Sequence, residues 1–176
     1  MMEKREKSVA ATVEDTMKKT LCVLLCALLV LVSCRKNAAG YVDADPSAVI
    51  DSVYGALEDG SAASEYVPQL ITEQITEKNE EYYLGVAGVP YASGAASEAF
   101  VQPVTYSFCV IRLEEGADYD AERKKIERNI NKSKWVCAAA EDAIVVRYEN
   151  VIAVIMGEKQ VCRELEGVFL KIIASK

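Results

Sequence analysis

The sequence predicts an α+β domain in which helices pack on a small three-stranded sheet, antiparallel or mixed. Apolar residues recur at helical spacing in several segments, whereas three short runs are rich in β-branched and aromatic residues. The chain of 176 residues is 51% hydrophobic and 27% charged. This length and composition favour one domain with a real core. The predicted element order is α-α-β-α-β-β-α.

The N-terminal part is typical of a secretion signal. Leu21 to Val32 holds twelve residues without a charge, and Lys18 and Lys19 stand directly before it. A membrane-spanning helix needs about 20 apolar residues, whereas twelve suit the apolar region of a signal peptide. A buried core helix is the alternative, but such a helix is rarely apolar on every face.

Leu31-Val32-Ser33-Cys34 resembles the lipobox of bacterial lipoproteins, in which a small residue precedes the modified cysteine. The resemblance implies that Cys34 receives a diacylglyceryl group and anchors the protein to the outer face of the cytoplasmic membrane. Two acyl chains suffice for stable anchoring. The polar start is longer than a signal needs, so we predict that translation begins at Met17. The predicted organisation is a signal peptide (1–33), a tether (34–44) and one domain (45–176).

Four helices are predicted from apolar residues at i, i+3 and i+4 spacing. The first helix is predicted to begin with Asp45 as its N-cap and Pro46 at its first position, and to end at Gly60. In the third helix, acidic residues crowd the first turn and basic residues the later turns, which matches the helix dipole. The other three predicted helices are Val67–Lys78, Asp118–Ser133 and Glu158–Ile173.

Three strands are predicted from β-branched and aromatic residues. Val104–Leu113 is the first, and Ala143–Tyr148 and Val151–Met156 are joined by Glu149-Asn150. Two residues between such runs, with an asparagine able to take a positive φ, predict a tight hairpin. The run VIAVIM is apolar throughout, so we expect it to lie between the other two strands.

Leu84 to Ala99 is predicted to be a loop, because it carries three glycines and a proline without any period. One interpretation is a mobile connection. The other is a loop that contacts a partner, with Tyr82, Tyr83 and Tyr91 as anchors, since tyrosine is enriched at interface hot spots.

The composition argues against several kinds of function. The net charge of −7 disfavours nucleic acid as a partner. The absence of histidine from the sequence removes Ser-His and Cys-His nucleophiles and most zinc patterns, and no cofactor motif is found. A hydrolase using carboxylates, with Glu114, Glu115 or Glu149, remains the enzyme alternative.

Three cysteines follow the predicted signal and lipid site: Cys109, Cys137 and Cys162. One interpretation is that two or three of them are small buried hydrophobic residues. The alternative is one disulfide and one free thiol, because an extracytoplasmic compartment permits oxidation.

The layout resembles an uncharacterised family of small Firmicute lipoproteins, classed as a domain of unknown function. The features that carry the resemblance are the lipobox, the opening helix, the strand TYSFCVIRLEEG with its charged helix, and the hairpin RYENVIAVIMG before a final helix. It implies a cell-surface lipoprotein and carries over no catalytic residue onto this sequence. Because the chain lacks histidine and cofactor motifs and has a short tether and a small α+β domain, we expect a binding or interaction module rather than an enzyme, with an unknown envelope protein or ligand as partner. A structural or regulatory envelope protein without a small ligand is the alternative.

Overall fold

Five antiparallel strands form one sheet in the computed structural model, which describes residues 40–100 and 104–176. The predicted signal peptide and Cys34 lie outside the described residues. The elements in chain order are α1 (Pro46–Gly55), β1 (Leu70–Gln74), α2 (Glu80–Leu84), β2 (Tyr91–Ala99), β3 (Ser107–Leu113), α3 (Tyr119–Asn129), β4 (Asp142–Tyr148), β5 (Val151–Gly157) and α4 (Lys159–Ile173).

The sheet has the order β1-β2-β3-β5-β4, and helices cover both of its faces. Helices α1 and α4 pack on one face and α2 and α3 on the other, which gives two apolar cores separated by the sheet. Successive side chains of a strand point to opposite faces of the sheet. In β2, Ala95 lies in the first core and Ala96 in the second. The predicted α+β class is confirmed, but the three-stranded sheet is wrong because two further strands precede β3.

The last part of the predicted loop is the strand β2, so that prediction is wrong. Its centre, Gly94 to Ser97, is fully buried between β1 and β3. A Cβ atom on Gly94 would lie 3.0 Å from side-chain atoms of both Ile75 and Ile111. Small residues are needed here because large neighbours fill the space. A run of small residues shows no hydrophobic period, so the sequence did not reveal this strand.

The predicted second helix, Val67–Lys78, is also wrong. A short 3-10 turn at Val67–Gln69 leads into β1, and α2 begins only at Glu80. Ile71 and Ile75 share one face of β1 because side chains alternate along a strand. Pairing with β2 selects the strand, and isoleucine and threonine favour it.

The remaining elements are confirmed with small shifts at their ends. The Asp45 side chain caps α1 by accepting from Ala48 N at 2.9 Å, and the helix ends at Gly55 rather than Gly60. Asp118 caps α3, which ends at Asn129, four residues earlier than predicted. The final helix begins one residue late. Strand β5 is buried throughout and lies between β3 and β4, as predicted.

The hairpin between β4 and β5 is confirmed, but its positive φ belongs to Glu149 (48°) and not to Asn150. Asn150 is fully buried and hydrogen-bonds the backbone of Val42. Its Oδ1 accepts from Val42 N at 2.7 Å, and its Nδ2 donates to Val42 O at 3.3 Å. The end of the predicted tether is therefore bound to the domain, where Ala44 is buried as well.

The three described cysteines are all free thiols. Cys109 lies in the core beneath α2 and α3, whereas Cys162 lies in the core beneath α1 and α4. The sheet separates the two, and Cys137 is exposed, so the predicted alternative of a disulfide is not formed. Burial raises the pKa of Cys109 to about 11 and that of Cys162 to about 12, which disfavours the reactive thiolate.

Candidate functional site

The structure brings together two of the three predicted tyrosine anchors. Tyr82 and Tyr83 are consecutive residues of α2, and their rings meet edge to face at a centroid distance of 5.0 Å. Tyr83 is buried, whereas Tyr82 is 43% exposed. Tyr91 opens β2 and lines a separate depression. Two of the predicted anchors therefore lie together, but on a helix rather than on the predicted loop.

A buried lysine organises the two tyrosines. The ammonium nitrogen of Lys134 lies 4.2 Å from the ring centre of Tyr82, 4.7 Å from that of Tyr83 and 5.0 Å from that of Trp135. Its side chain is 3% exposed. A cation over aromatic faces is attracted by the ring quadrupoles, and more strongly when water is excluded.

Two polar groups complete the surroundings of this ammonium. Lys134 forms an ion pair with Glu98 and donates to Ser107 Oγ at 3.1 Å. The Tyr82 hydroxyl donates to the other Glu98 oxygen at 3.1 Å. A charge taken out of water is tolerated when it is paired and hydrogen-bonded. We call this group the tyrosine–lysine cluster; its members are Tyr82, Tyr83, Glu98, Ser107, Lys134 and Trp135.

Four separate parts of the chain supply the cluster. Glu98 and Ser107 face each other on β2 and β3, α2 supplies the tyrosines, and the segment after α3 supplies the lysine and the tryptophan. Gly85 permits the helices to approach, because it ends α2 with a φ of 74°. A Cβ atom there would lie 2.3 Å from the backbone oxygen of Asn129.

A second set of hydrogen bonds connects the cluster to the edge strand β1. The Tyr83 hydroxyl donates to Glu73 Oε1 at 2.5 Å. Asn79 Nδ2 donates to the same oxygen at 3.4 Å, and Asn79 Oδ1 accepts from Thr76 N at 2.6 Å. These contacts fix α2 against β1, so the exposed ring of Tyr82 stands on a well-supported helix.

Both cluster tyrosines are neutral hydrogen-bond donors at ordinary pH. Burial, with a further contribution from the Glu98 carboxylate, raises the pKa of Tyr82 to about 12. Burial and the hydrogen bond to Glu73 raise the pKa of Tyr83 well above its usual range. Each tyrosine therefore favours the folded state fully below its unfolded pKa of about 10.

We predict that the free energy of unfolding falls as the pH rises above about 10, and continues to fall through pH 12. The unfolded chain releases these phenolic protons at lower pH than the folded protein does, which favours unfolding. Urea titrations of wild type and Tyr83→Phe at pH 8 and pH 11 check this. The variant should lose less stability between the two pH values, and equal losses would contradict the assignment.

The cluster contains a Ser–Lys pair, but its geometry does not suit nucleophilic catalysis. Ser107 is fully buried, so no substrate reaches its hydroxyl. The Lys134 ammonium is already paired with Glu98 and covered by the rings around it, so it is not free to face a substrate. Hydrogen bonding and packing are therefore the roles that this geometry supports.

An open depression of about 510 Å3 lies beside Tyr91. Its lining is acidic, and its buried Glu80 accepts from Gly88 N at 2.7 Å. Glu114 of the proposed hydrolase residues lines it, whereas Glu115 and Glu149 do not. Among the described residues, no group of three or more cysteine or acidic side chains is arranged to hold a metal. The depression is lined by several residues, among them Ile75, Glu77, Glu80, Val89, Tyr91 and Glu114.

Three exposed apolar residues lie next to members of the tyrosine–lysine cluster in strand register or in sequence. Ile71 pairs with Glu98 across β1 and β2, Phe100 follows β2, and Val136 follows Trp135. All three are more than half exposed, and Tyr82 is exposed as well. Sequence reasoning missed this surface, although the only tryptophan of the chain, next to a lysine, was a usable signal.

Comparisons of the chain with protein-family models, curated proteins and solved structures find no match. The resemblance to small Firmicute lipoproteins therefore stays a prediction. Within the two described ranges, no helix has the length and hydropathy that crossing a membrane requires.

Proposed function

We propose that the protein is a lipid-anchored binding module on the outer face of the cytoplasmic membrane. The short apolar segment before Ser33-Cys34 and the lipobox-like residues support the anchor. These residues lie outside the described part, so the binding half of the proposal depends on the folded domain. The partner is an envelope protein or another ligand at the cell surface.

One observation carries the binding half: Tyr82 is exposed and yet held in place. Its ring contacts Tyr83 and lies beneath the Lys134 ammonium, and its hydroxyl is bound to Glu98. A side chain that is already ordered loses little conformational entropy when a partner binds. Tyrosines of this kind are typical binding anchors.

The surroundings of Tyr82 also fit an interface. Ile71, Phe100 and Val136 add exposed apolar surface around it, while the charged Lys134 and Glu98 are largely covered. An apolar centre bordered by charged residues is the composition found at protein interfaces. The depression beside Tyr91 adds a concave surface at the other end of β1.

The binding half is tested by placing a photoreactive amino acid at Val136 in the full chain, in cells that produce it naturally. We expect one discrete crosslinked product that disappears in Tyr82→Ala. Tyr41→Ala is the matched control, because Tyr41 is 42% exposed and Tyr82 is 43% exposed. The product should persist in that control.

The binding half is contradicted if Val136 gives no product, or if Tyr82→Ala leaves the product unchanged. Equal amounts and equal protease resistance of the three chains show that each variant is folded. Loss of the product in both tyrosine variants would also count against the proposal, because it would not single out Tyr82.

A further inference from the structure

Strand β1 forms one edge of the sheet in the described part of the chain. Its one strand partner there is β2, where Phe100 N donates to Gln69 O and Ile75 N donates to Gly94 O, both at 2.9 Å. Bonded positions alternate along an antiparallel pair. Residues 71 and 73 therefore direct their backbone groups toward β2, and residues 70, 72 and 74 direct theirs outward.

Most of these outward groups have no partner among residues 40–100 and 104–176. Leu70 N donates to Val67 O, and Gln74 O accepts from Asn79 Nδ2 at 3.1 Å. Within residues 40–100 and 104–176, no backbone or side-chain group pairs with the N–H or the carbonyl of Thr72. With Leu70 O and Gln74 N–H, Thr72 offers the bonding pattern that an added strand requires.

This edge lacks the usual protection against strand addition. Proteins block edges with lysine, proline, bulges or an inward-pointing charge. Strand β1 contains neither lysine nor proline, its register with β2 is continuous, and its one charge, Glu73, is bound to Tyr83 and Asn79. The opposite edge is guarded, because Arg123 of α3 donates to the backbone oxygen of Val145 in β4 at 3.5 Å.

The charge around β1 indicates what kind of strand would fit. Residues 65–81 contain five glutamates and one lysine. Ile71 and Glu73 face the same side as the tyrosine–lysine cluster, so an added strand would place alternate side chains beside an apolar group and a carboxylate. A second copy of this chain brings the same acidic segment and is repelled.

We infer that β1 accepts an extended segment of a partner protein as a sixth strand, with basic and apolar side chains alternating on the face beside Tyr82. This inference rests on the proposed binding function and specifies its partner. The main-chain hydrogen bonds of Leu70, Thr72 and Gln74 supply affinity. Tyr82, Ile71 and the surrounding glutamates supply selectivity.

The test measures binding of a fluorescent, end-capped peptide, Val-Thr-Lys-Thr-Val-Thr-Lys, to the full chain in detergent. Thr72→Pro removes the outward N–H and leaves the bonds to β2 intact, because proline is tolerated on an edge strand whose N–H faces solvent. Thr72→Val keeps the N–H and is the control. We expect Thr72→Pro to weaken binding at least tenfold and Thr72→Val less than twofold.

One further peptide and a salt titration test the chemistry. Glutamate in place of both lysines should abolish binding, and added salt should weaken binding of the lysine peptide. Equal binding of the lysine peptide to wild type and Thr72→Pro would overturn the inference. So would a wild-type dimer that Thr72→Pro converts to a monomer, because the edge would then be occupied by a second copy.

The two experiments distinguish failure of the inference from failure of the proposed function. If the Val136 crosslink depends on Tyr82 but Thr72→Pro leaves peptide binding unchanged, the binding module stands and the strand addition is wrong. If the crosslink does not depend on Tyr82, the binding module is contradicted and the partner inferred for β1 is lost with it. Circular dichroism of both Thr72 variants shows that the sheet remains folded.

Discussion

Replacing Lys134 by methionine is expected to lower the free energy of unfolding by about 3 kcal/mol. Methionine keeps much of the side-chain volume but removes the charge. The Glu98 carboxylate, largely covered, then loses its ion pair, and the rings of Tyr82 and Tyr83 lose the cation between them. Urea titration at neutral pH measures this change.

The matched control is Lys124→Met, because Lys124 is an exposed residue of α3. We expect it to change stability by less than about 0.5 kcal/mol. In the double variant Glu98→Gln with Lys134→Met, part of the loss should be recovered, because no unpaired carboxylate is left. Equal effects of the two lysine substitutions would show that the cluster does not stabilise the domain.

Gly85→Ala is expected to destabilise the domain by more than about 3 kcal/mol, a large effect for one methyl group. The positive φ of Gly85 costs any residue with a Cβ about 1 kcal/mol. The rest comes from packing, because the new methyl group would meet the backbone of Asn129 and Ile130 at 2.3–2.8 Å. Either α2 or the end of α3 must shift, which disturbs the tyrosine–lysine cluster.

Gly60→Ala separates the two contributions. Gly60 has a φ of 77°, close to that of Gly85, but a Cβ there would have no described atom within 4 Å. We expect a loss of about 1 kcal/mol from backbone strain alone. Thermal or urea unfolding of both variants provides the comparison, and similar losses would contradict the close packing of α2 against α3.

The elements that the sequence predicted well are those whose own residues specify them. Helix α4 has a clean apolar stripe, the cap of α1 is local, and the all-apolar β5 requires burial on both faces. The β4–β5 hairpin followed from two turn residues between β-rich runs. Even there, the residue with the positive φ is Glu149 and not the expected Asn150, which is buried and hydrogen-bonded to Val42.

The elements that were missed depend on distant neighbours. Strand β2 is made of glycine, alanine and serine at its centre, and only the presence of Ile75 and Ile111 explains why those positions must be small. Strand β1 has apolar residues at positions that fit either a helix or a strand. Its conformation is set by β2, so an error in one strand produced an error in the other.

The candidate site also depends on residues that are distant in the sequence. Tyr82 and Tyr83 were predicted as anchors from composition, but Tyr91 lies apart from them. Lys134, Glu98 and Ser107 come from three distant segments, and no local pattern connects them. The charge of Lys134 suggested a solvated residue, whereas the fold buries it among rings and a carboxylate.

Fatty-acid labelling of cells that produce wild type or Cys34→Ser, followed by membrane fractionation, tests the lipid-anchored binding module most directly. We predict that wild type takes up the label and sediments with membranes, and that Cys34→Ser loses both properties. The exposed face with Tyr82 would then meet partners outside the cytoplasm. A wild-type protein without label would contradict the lipid anchor and the location inferred from it.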